Sequence, residues 1–221
     1  MIRVASVLQS NFQGLAVPSL FCFYSPPPLT LKTIDMAIKS TIYKAAVQVA
    51  DIDHYYYADH QLVLARHPSE TDERMMIRLL ALAYQAHQLQ TLCAGDGKLG
   101  FGAGLSDPDE PDVLLTDFTD QKRLWVEVGQ PEEKPIGRAC KLADKVVVYC
   151  YSHPAEVWWN GIKNKLSRYD NLEVWRVPSE TAQALSQMAQ RSMNLQATIN
   201  EGVLSLSDDT HHFDIECVKL K

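Results

Sequence analysis

The sequence predicts an α/β domain in which a mixed central β-sheet is flanked by helices, and this domain extends from about residue 36 to residue 221. Three observations support this fold class. The middle of the chain alternates strand and helix patterns, which favours a sheet with helices on both sides. Residues 146–151 (VVVYCY) are continuously apolar, as is typical of a strand covered on both faces. Apolar side chains between Met75 and Leu89 recur with the helical period.

Each element follows from a local pattern. Alternating or apolar runs predict strands at 38–49, 61–66, 113–116, 124–128, 146–151, 172–177, 195–199, 203–207 and 213–220. Helical periodicity and capping residues predict helices from Ser69 to about residue 89, over 132–144, from Pro154 through Trp159, and from Ser179 to about residue 191. Residues 94–111 are rich in Gly, Asp and Pro and predict a loop.

Residues 1–35 differ from the rest of the chain. They contain three consecutive prolines at 26–28 and show no periodicity, which predicts a poorly ordered N-terminal extension. The functional domain is then expected to cover residues 36–221, and Met36 is a hypothetical start for it.

Composition narrows the class of protein. With 221 residues and 46% hydrophobic content, the chain can bury one sizeable core. The net charge of −6 argues against a protein that coats nucleic acid by charge alone, without excluding a nuclease that carries acidic metal ligands. Five cysteines without a CxxC pair predict neither a disulfide framework nor a zinc site. No apolar run reaches the ~18 residues of a membrane span, so a cytoplasmic protein is expected.

The first helix carries several charged residues near its start. Ser69 is the expected N-cap, with Asp72 completing a capping box. Glu73 is expected at the edge of the buried face, with Arg74 and Arg78 directed elsewhere. Two interpretations stay open for the basic residues of this region, a group that faces phosphate or pairing with Glu70 or Glu73 at the surface; these residues are Arg66, His67, Arg74 and Arg78.

Two carboxylates stand out on neighbouring predicted strands. Asp112 follows Pro111 directly before one strand, and Glu127 interrupts the otherwise apolar strand WVEVG at 125–129. A buried carboxylate needs a cation as its partner, and two such groups can hold one Mg²⁺ or Mn²⁺ ion whose waters become nucleophiles. Glu73 is a candidate third metal ligand; alternatively, it is a helix-start carboxylate favoured by the dipole.

Three separated stretches resemble the YaeQ family. They are ARHPSETDERMMIRLLALA at 65–83, WVEVGQPEE at 125–133 and LQATINEGVLSLSDD at 195–209. The family is similar in fold to the PD-(D/E)XK nucleases. The resemblance therefore implies a restriction-endonuclease-like core and lends Asp112 and Glu127 their role as catalytic metal ligands.

The chain departs from the nuclease pattern after the second acid. The strand lysine expected two residues after Glu127 is replaced by Gly129. Arg138, on the following helix, is the favoured substitute and would stabilise charge, because an arginine stays protonated. Lys134 and Lys141 share its helical stripe, which could equally be a solvated face. Gln130 is a further catalytic candidate that could orient a water molecule or the substrate.

Four weaker signals favour ordinary structural roles. The G-x-G-x-x-G match at 95–100 follows a helix and opens a loop, unlike a dinucleotide site. The tyrosines at 55–57 could stack on bases but are expected to pack on the sheet. Trp158 and Trp159 are expected to be one core and one rim residue. The pair at 211–212 (HH) has no third metal ligand nearby in sequence.

Two functions fit these features. The first is a metal-dependent phosphodiesterase-like protein that acts on nucleic acid. The second is a non-catalytic module on the same fold that binds nucleic acid or another protein, which the missing lysine and the negative net charge favour.

Overall fold

A computed structural model describes residues 40–102, 105, 107 and 109–221, all within one compact unit, Ala37–Lys221. The predicted extension at 1–35 lies outside the described residues. Among the helices that are described, none combines the length and the apolar character that a membrane span requires.

The described chain alternates strands and helices for most of its length. The strands are β1 (Thr41–Asp51), β2 (Tyr56–Arg66), β3 (Gly97–Phe101), β4 (Val113–Asp117), β5 (Lys122–Val128), β6 (Lys145–Cys150), β7 (Leu172–Arg176), β8 (Ser192–Asn200), β9 (Val203–Ser207), β10 (His212–Glu216) and β11 (Val218–Lys219). The helices are α1 (Asp72–Gln85), α2 (Gln88–Cys93), α3 (Glu133–Leu142), α4 (Ala155–Leu166) and α5 (Ser179–Leu185).

These strands form two mixed sheets, not the single central sheet expected. The five-stranded sheet has the order β10-β9-β8-β1-β2, and the six-stranded sheet has the order β11-β7-β6-β5-β4-β3. β1 pairs in parallel with β8, while β5, β6 and β7 pair in parallel with one another. The mixed α/β class is confirmed. The single sheet was wrong because a strand's local pattern does not specify its partner, and β1 pairs with a strand about 150 residues away.

Helix α1 is buried on every side. All residues from Met75 to Ala83 have no exposed surface, including Arg78. The core around α1 contains residues of both sheets and of α5, whereas a second core lies beneath α3 and α4 around Trp125. A helix that is packed on all sides tolerates a charged side chain only if that charge has an ion-pair or hydrogen-bond partner. The buried Arg78 therefore requires such a partner.

The long predicted helix at 69–89 is two helices, and it begins later than expected. Thr71 is the N-cap, because its Oγ1 accepts a hydrogen bond from the backbone N–H of Arg74 at 3.1 Å. The backbone N–H of Ser69 instead donates to His67 Nδ1 at 3.1 Å. The Ser69 cap prediction was therefore wrong, although both residues offer the same hydroxyl chemistry.

Three further elements differ from expectation. The loop at 94–111 contains β3, which pairs with β4 from Gly97↔Asp117 to Phe101↔Val113. Its two glycines weaken the apolar alternation that reveals a strand in sequence. The last predicted strand, 213–220, is divided into β10 and β11, which belong to different sheets. The helix after Ser179 ends at Leu185 and continues only as a 3₁₀ turn, Ser186–Met188.

Candidate functional site

A buried network of four charged residues joins α1 to the start of β4. Arg74 Nη1 donates to Glu70 Oε1 at 2.7 Å, and Arg78 Nη1 donates to both Glu70 oxygens at 3.2–3.3 Å. Arg74 Nη2 donates to both oxygens of Asp112 at 2.8 Å. The two cations and two anions balance, which is the condition for burying charge without a large penalty.

Asp112 is the most enclosed of the predicted site residues. It is 2% exposed, and its Oδ2 also accepts the backbone N–H of Val128 at 2.7 Å. Arg78 Nε lies 3.2 Å from Oδ1 as an ion pair, although its N–H lacks hydrogen-bond alignment. Burial raises the pKa of Asp112, and Arg74 and Arg78 oppose that rise. Both oxygens of this carboxylate are therefore already engaged by guanidinium and amide groups.

The arginines resolve one open interpretation from the sequence. Arg74 and Arg78 pair with Glu70 and Asp112 and do not form a phosphate-facing group. Arg78 is completely buried, donates to the Gly102 carbonyl at 3.1 Å, and so contradicts the expectation that it points away from the core. Arg78 is a basic residue within an apolar run, and that position was the sequence signal for its buried partner.

Glu127 lies on the other side of β5. Val126 and Val128 pack in the core around α1, whereas Trp125 belongs to the core beneath α3 and α4. Side chains alternate along a strand, so Glu127 shares the side of Trp125, whose Nε1 donates to Glu127 Oε1 at 2.7 Å. Arg74 and Arg78 hold Asp112 from α1. The two carboxylates thus have different hydrogen-bond partners, although Asp112 lies close enough to raise the pKa of Glu127.

The Glu127 carboxyl has an unusual affinity for protons. Burial raises its pKa to about 7, the Asp112 carboxylate adds to the rise, and the Trp125 indole, Arg74 and Arg138 oppose it. A carboxyl group with a pKa near neutrality can act as a general acid or base in that range.

The three predicted metal ligands do not converge. Glu73 is half-buried in the first turn of α1, and Glu73, Asp112 and Glu127 do not form a cluster in which all three ligand atoms lie within 4.8 Å of one another. Mg²⁺ requires short bonds to several oxygens in near-octahedral geometry. Because the oxygens of Asp112 are engaged by Arg74 and Val128, these residues as arranged do not fit the ion.

Gly129 and Gln130 shape the chain after Glu127. Gly129 adopts a φ of +119°, and a Cβ placed there would meet no atom within 4 Å. The space above the strand at Gly129 is open, but a lysine at this position would have a strained backbone. The side-chain amide of Gln130 donates to the Tyr151 carbonyl and lies 3.4 Å from Ser152 Oγ.

A groove lies between α3 and α4, and we name it the α3–α4 groove. Its volume is about 1160 Å³, and Gln130, Trp158 and Gly161 are among its lining residues. Its basic side chains are Lys134, Arg138, Lys141, Lys165 and Arg168, and its acidic side chains are Asp109, Glu132 and Glu133. The groove thus has an excess of positive charge, whereas the whole chain has a net charge of −6.

Arg138 lies at the centre of the predicted basic stripe. It forms an ion pair with Asp109 and still contributes to the electrostatic environment of Glu127. Lys134, Arg138 and Lys141 all line the α3–α4 groove, so the shared stripe on α3 is confirmed.

The weaker sequence signals have structural roles. The G-x-G-x-x-G match enters β3, so its last residues form a strand where a dinucleotide site would begin a helix. Tyr56 is buried as expected, but Tyr55 and Tyr57 are 85% and 63% exposed, so packing of the whole run was wrong. Tyr55 lies in the turn between β1 and β2, and Tyr57 follows the buried Tyr56 in β2, so its ring points to the exposed face.

Two other aromatic and histidine expectations have clear outcomes. Trp158 and Trp159 are both half-buried against the core beneath α3 and α4, so the division into core and rim was wrong. His211 Nδ1 lies 3.2 Å from Asp208, and His212 Nε2 lies 3.2 Å from Asp214. Neither histidine belongs to a three-ligand cluster among the described residues.

Comparisons with known proteins agree on one family. The sequence model described as YaeQ protein matches residues 36–217. The chain is 43% identical to the YaeQ protein of Escherichia coli strain K12 over 181 residues, which cover 81% of this chain and 95% of that protein. It is also 43% identical to the YaeQ protein of Salmonella typhi over 182 residues, covering 82% and 96%.

Solved structures give the same result. The crystal structure of the YaeQ protein from Xanthomonas axonopodis pv. citri is similar with a TM-score of 0.75 at 38% identity, covering 82% of this chain and 98% of that one. The YaeQ protein from Pseudomonas syringae also has a TM-score of 0.75, at 29% identity, covering 82% and 96%. The chain belongs to the YaeQ family.

Proposed function

We propose that this protein is a cytoplasmic nucleic-acid-binding protein that holds a single-stranded chain in the α3–α4 groove. The observation that carries the proposal is the placement of basic side chains on both walls of one groove that also contains aromatic rings. Proteins that bind single strands combine a positive groove for phosphates with aromatic faces for bases.

The main phosphate contacts would come from the wall formed by α3. Lys134 and Lys141 are exposed and form no ion pair among the described residues, so phosphate oxygens can replace water around their ammonium groups. Lys134 and Arg138 lie one turn apart, about 6 Å along the helix axis. In the proposed complex, consecutive cations on this stripe contact successive phosphates of the bound strand.

The opposite wall supplies rings and two further cations, Lys165 and Arg168, which share Glu133 as their ion-pair partner. Trp158 is held in place because its Nε1 donates to the Pro131 carbonyl at 3.0 Å. Tyr169 lies beneath the guanidinium of Arg168, 4.9 Å from the ring centroid, and its hydroxyl passes so close to Gly137 that a Cβ there would lie 2.3 Å away. The rings are thus positioned by neighbours and offer faces on which bases can stack.

Fluorescence anisotropy with labelled single-stranded DNA and RNA oligonucleotides tests the proposal. We expect binding that weakens as salt rises, because phosphate contacts release counterions. The double variant Lys134→Glu, Lys141→Glu should weaken binding at least tenfold. The matched control is Lys44→Glu, Lys98→Glu, which makes the same charge change at exposed positions on β1 and β3.

Two outcomes would overturn this proposal. One is the absence of binding by the wild-type chain at low salt. The other is an equal loss of affinity in the two double variants, because net charge would then explain the effect without the groove.

A second candidate function is phosphodiester hydrolysis on a PD-(D/E)XK-like core, and Glu127 favours it. Its carboxyl has a pKa of about 7. Burial and the charge of Asp112 raise this pKa, and the charge of Arg138 lowers it. Ligation of Mg²⁺ or Mn²⁺ by Glu73, Asp112 and Glu127 belongs to this candidate and requires Arg74 to release Asp112. We expect calorimetry with each metal on the wild type and on Glu127→Gln, beside cleavage assays, to separate the two functions. Nucleic-acid binding without cleavage, and with metal binding unchanged in Glu127→Gln, supports the first, and cleavage abolished by Glu127→Gln supports the second.

A further inference from the structure

Three potential metal-binding side chains meet at the end of β1, away from every residue discussed as a candidate site. Asp51 is the last residue of β1, His54 lies in the turn to β2, and His87 precedes α2. One ligand atom from each lies within 4.8 Å of the other two, and this is the one such cluster in the part of the chain that the structure describes.

The local backbone positions Asp51 for this role. Its side chain is 1% exposed, and its Oδ1 accepts the backbone N–H of His54 at 3.0 Å. That bond leaves Oδ2 directed at both imidazoles, 2.8 Å from His54 Nδ1 and 3.3 Å from His87 Nδ1. The two rings are stacked in parallel, with centroids 3.7 Å apart and planes inclined by 2°.

The 3.3 Å between Asp51 Oδ2 and His87 Nδ1 fits a tetrahedral metal centre. The exposed His54 ring, which is stacked on His87 and hydrogen-bonded to Asp51 at 2.8 Å, would have to rotate out of the stack to direct Nδ1 at the same ion. Two ligands bound to Zn²⁺ at about 2.0–2.1 Å with tetrahedral angles lie about 3.3 Å apart. Two imidazole nitrogens and one carboxylate oxygen form a donor set that suits Zn²⁺ and similar first-row divalent ions. We infer that Asp51, His54 and His87 bind a first-row divalent metal ion, with the fourth coordination position open to the adjoining cavity.

The cavity beside the cluster favours a cation. It has a volume of about 480 Å³ and is lined by five carboxylates and two lysines, in addition to the two histidines. Glu173 is paired with both of those lysines, Lys145 at 3.4 Å and Lys219 at 3.5 Å. The carboxylates outnumber the cations, which lowers the electrostatic cost of bringing a divalent ion into the cavity.

A buried acceptor in the same cavity points independently to a ligand. Gln85 lines the cavity and is 5% exposed, and its Oε1 has no hydrogen-bond partner. Its Nε2 donates to Tyr149 Oη at 2.8 Å, so the orientation of the amide is set by that bond. A buried unpaired carbonyl oxygen is costly, and a water molecule on the open position of a metal is the kind of donor that would satisfy it.

Gln88 can hold His87 in the tautomer that a metal requires. Without a metal, His87 Nδ1 donates to the Tyr84 carbonyl at 3.1 Å, and His87 Nε2 accepts from the amide nitrogen of Gln88 at 2.7 Å. Metal ligation by Nδ1 would place the ring proton on Nε2. A flip of the Gln88 amide then presents its oxygen to that proton, which is the supporting contact that metal-bound histidines usually have.

The site uses none of the cysteines from which the sequence analysis predicted no zinc centre. The spacing of Asp51 and His54 is common in turns, and His87 is distant in sequence. No short sequence motif therefore predicts the cluster. None of the three residues lines the α3–α4 groove, so Zn²⁺ binding can be tested independently of nucleic-acid binding.

The test is a Zn²⁺ titration of the full-length, untagged, metal-stripped chain against a chromophoric chelator, with Co²⁺ absorption as a second readout. We expect one equivalent of Zn²⁺ and a Co²⁺ spectrum of tetrahedral type. His54→Ala and His87→Gln should each weaken Zn²⁺ binding at least tenfold. Because the His54 side chain is 49% exposed, His54→Ala should remain folded.

His211→Ala is the matched control. Asp208 and His211 repeat the Asp51–His54 spacing and contact, but no second histidine joins them in a three-ligand cluster among the described residues. This variant should bind Zn²⁺ as the wild type does. Wild-type affinity no greater than that of His54→Ala, or an equal loss in His211→Ala, overturns the inference. If either histidine variant loses its circular dichroism signal, Asp51→Asn provides the decisive comparison, and undiminished Zn²⁺ binding there counts against the site.

Discussion

Arg74 Nη2 lies 2.8 Å from both carboxylate oxygens of Asp112, so the aspartate that the sequence offers as a metal ligand is paired with a guanidinium. Arg78 contacts the same carboxylate at 3.2 Å and has no exposed surface. Asp112 therefore has a structural role, and the residues available for binding lie in the α3–α4 groove and in the cluster at the end of β1.

Asp112→Ala should destabilise the fold strongly. The change leaves Arg78 buried without one of its two anions, and breaking a buried ion pair on one side costs about 3–5 kcal/mol. Urea denaturation measures the loss in the free energy of unfolding. Glu73→Ala, at a half-buried position on the same helix, is the control and should cost about 1 kcal/mol or less.

Adding Arg78→Met to Asp112→Ala should restore part of that stability, because it removes the unpaired charge. An Asp112→Ala variant as stable as Glu73→Ala would contradict the structural role of the network.

Glu127→Gln should stabilise the protein in a pH-dependent way. The pKa of Glu127 is raised from 4.5 to about 7 in the folded state, so the folded state retains this proton more strongly than the unfolded state does. The stability linked to this proton is fully present below about pH 4.5 and is lost as the pH rises to about 7, because the unfolded state ionises first and the buried carboxyl ionises last. Glutamine avoids this loss and keeps an oxygen for the Trp125 indole.

We expect the gain from Glu127→Gln in the free energy of unfolding to be about 1–2 kcal/mol at pH 8, less than the full pKa shift implies, because Glu127 is partly exposed to solvent. Near pH 4.5 the gain should vanish. Thermal unfolding at both pH values measures it, and a gain of equal size at the two would show that ionisation of Glu127 is not the cause.

Gly129→Ala should destabilise the protein by about 1–3 kcal/mol through the backbone alone. The φ of +119° is unfavourable for any residue with a Cβ, while the surrounding space is open. Gly161→Ala is the matched control, because its Cβ also meets nothing within 4 Å but the residue lies in α4. That change should stabilise by about 0.5–1 kcal/mol. Equal effects of the two alanines on the unfolding midpoint would refute the strain at Gly129.

Gly161→Leu should weaken oligonucleotide binding at least fivefold without lowering the melting temperature. The leucine side chain would enter the α3–α4 groove, where it adds bulk and changes no charge. Anisotropy titrations beside thermal melts check both parts. Unchanged affinity in a folded Gly161→Leu variant would place the nucleic-acid site elsewhere.

Much of the fold was predictable because it depends on local patterns. The apolar run at β6, the alternation of β8 and β9, and the amphipathic spacing of α3 were all recognised. β3 was missed because its glycines hide the alternation, and the Ser69 cap was wrong because Thr71 offers the same hydroxyl two residues later. For the candidate site, the basic stripe on α3 was predictable from helical spacing. The pairing of Arg74 with Asp112 was not, because 38 residues separate them.

The sequence by itself determined the α/β class, most of the helices and strands, the family resemblance, and the identity of the charged residues that had to find partners. The tertiary structure alone decided which partners they found: Asp112 is bound by Arg74 and Arg78, and His87 joins Asp51 and His54. The physical reason is that periodicity and capping act over a few residues and are written in the local sequence. Ion pairs, hydrogen bonds and metal ligands require atoms within a few ångströms, and only the packing of distant segments brings such atoms together.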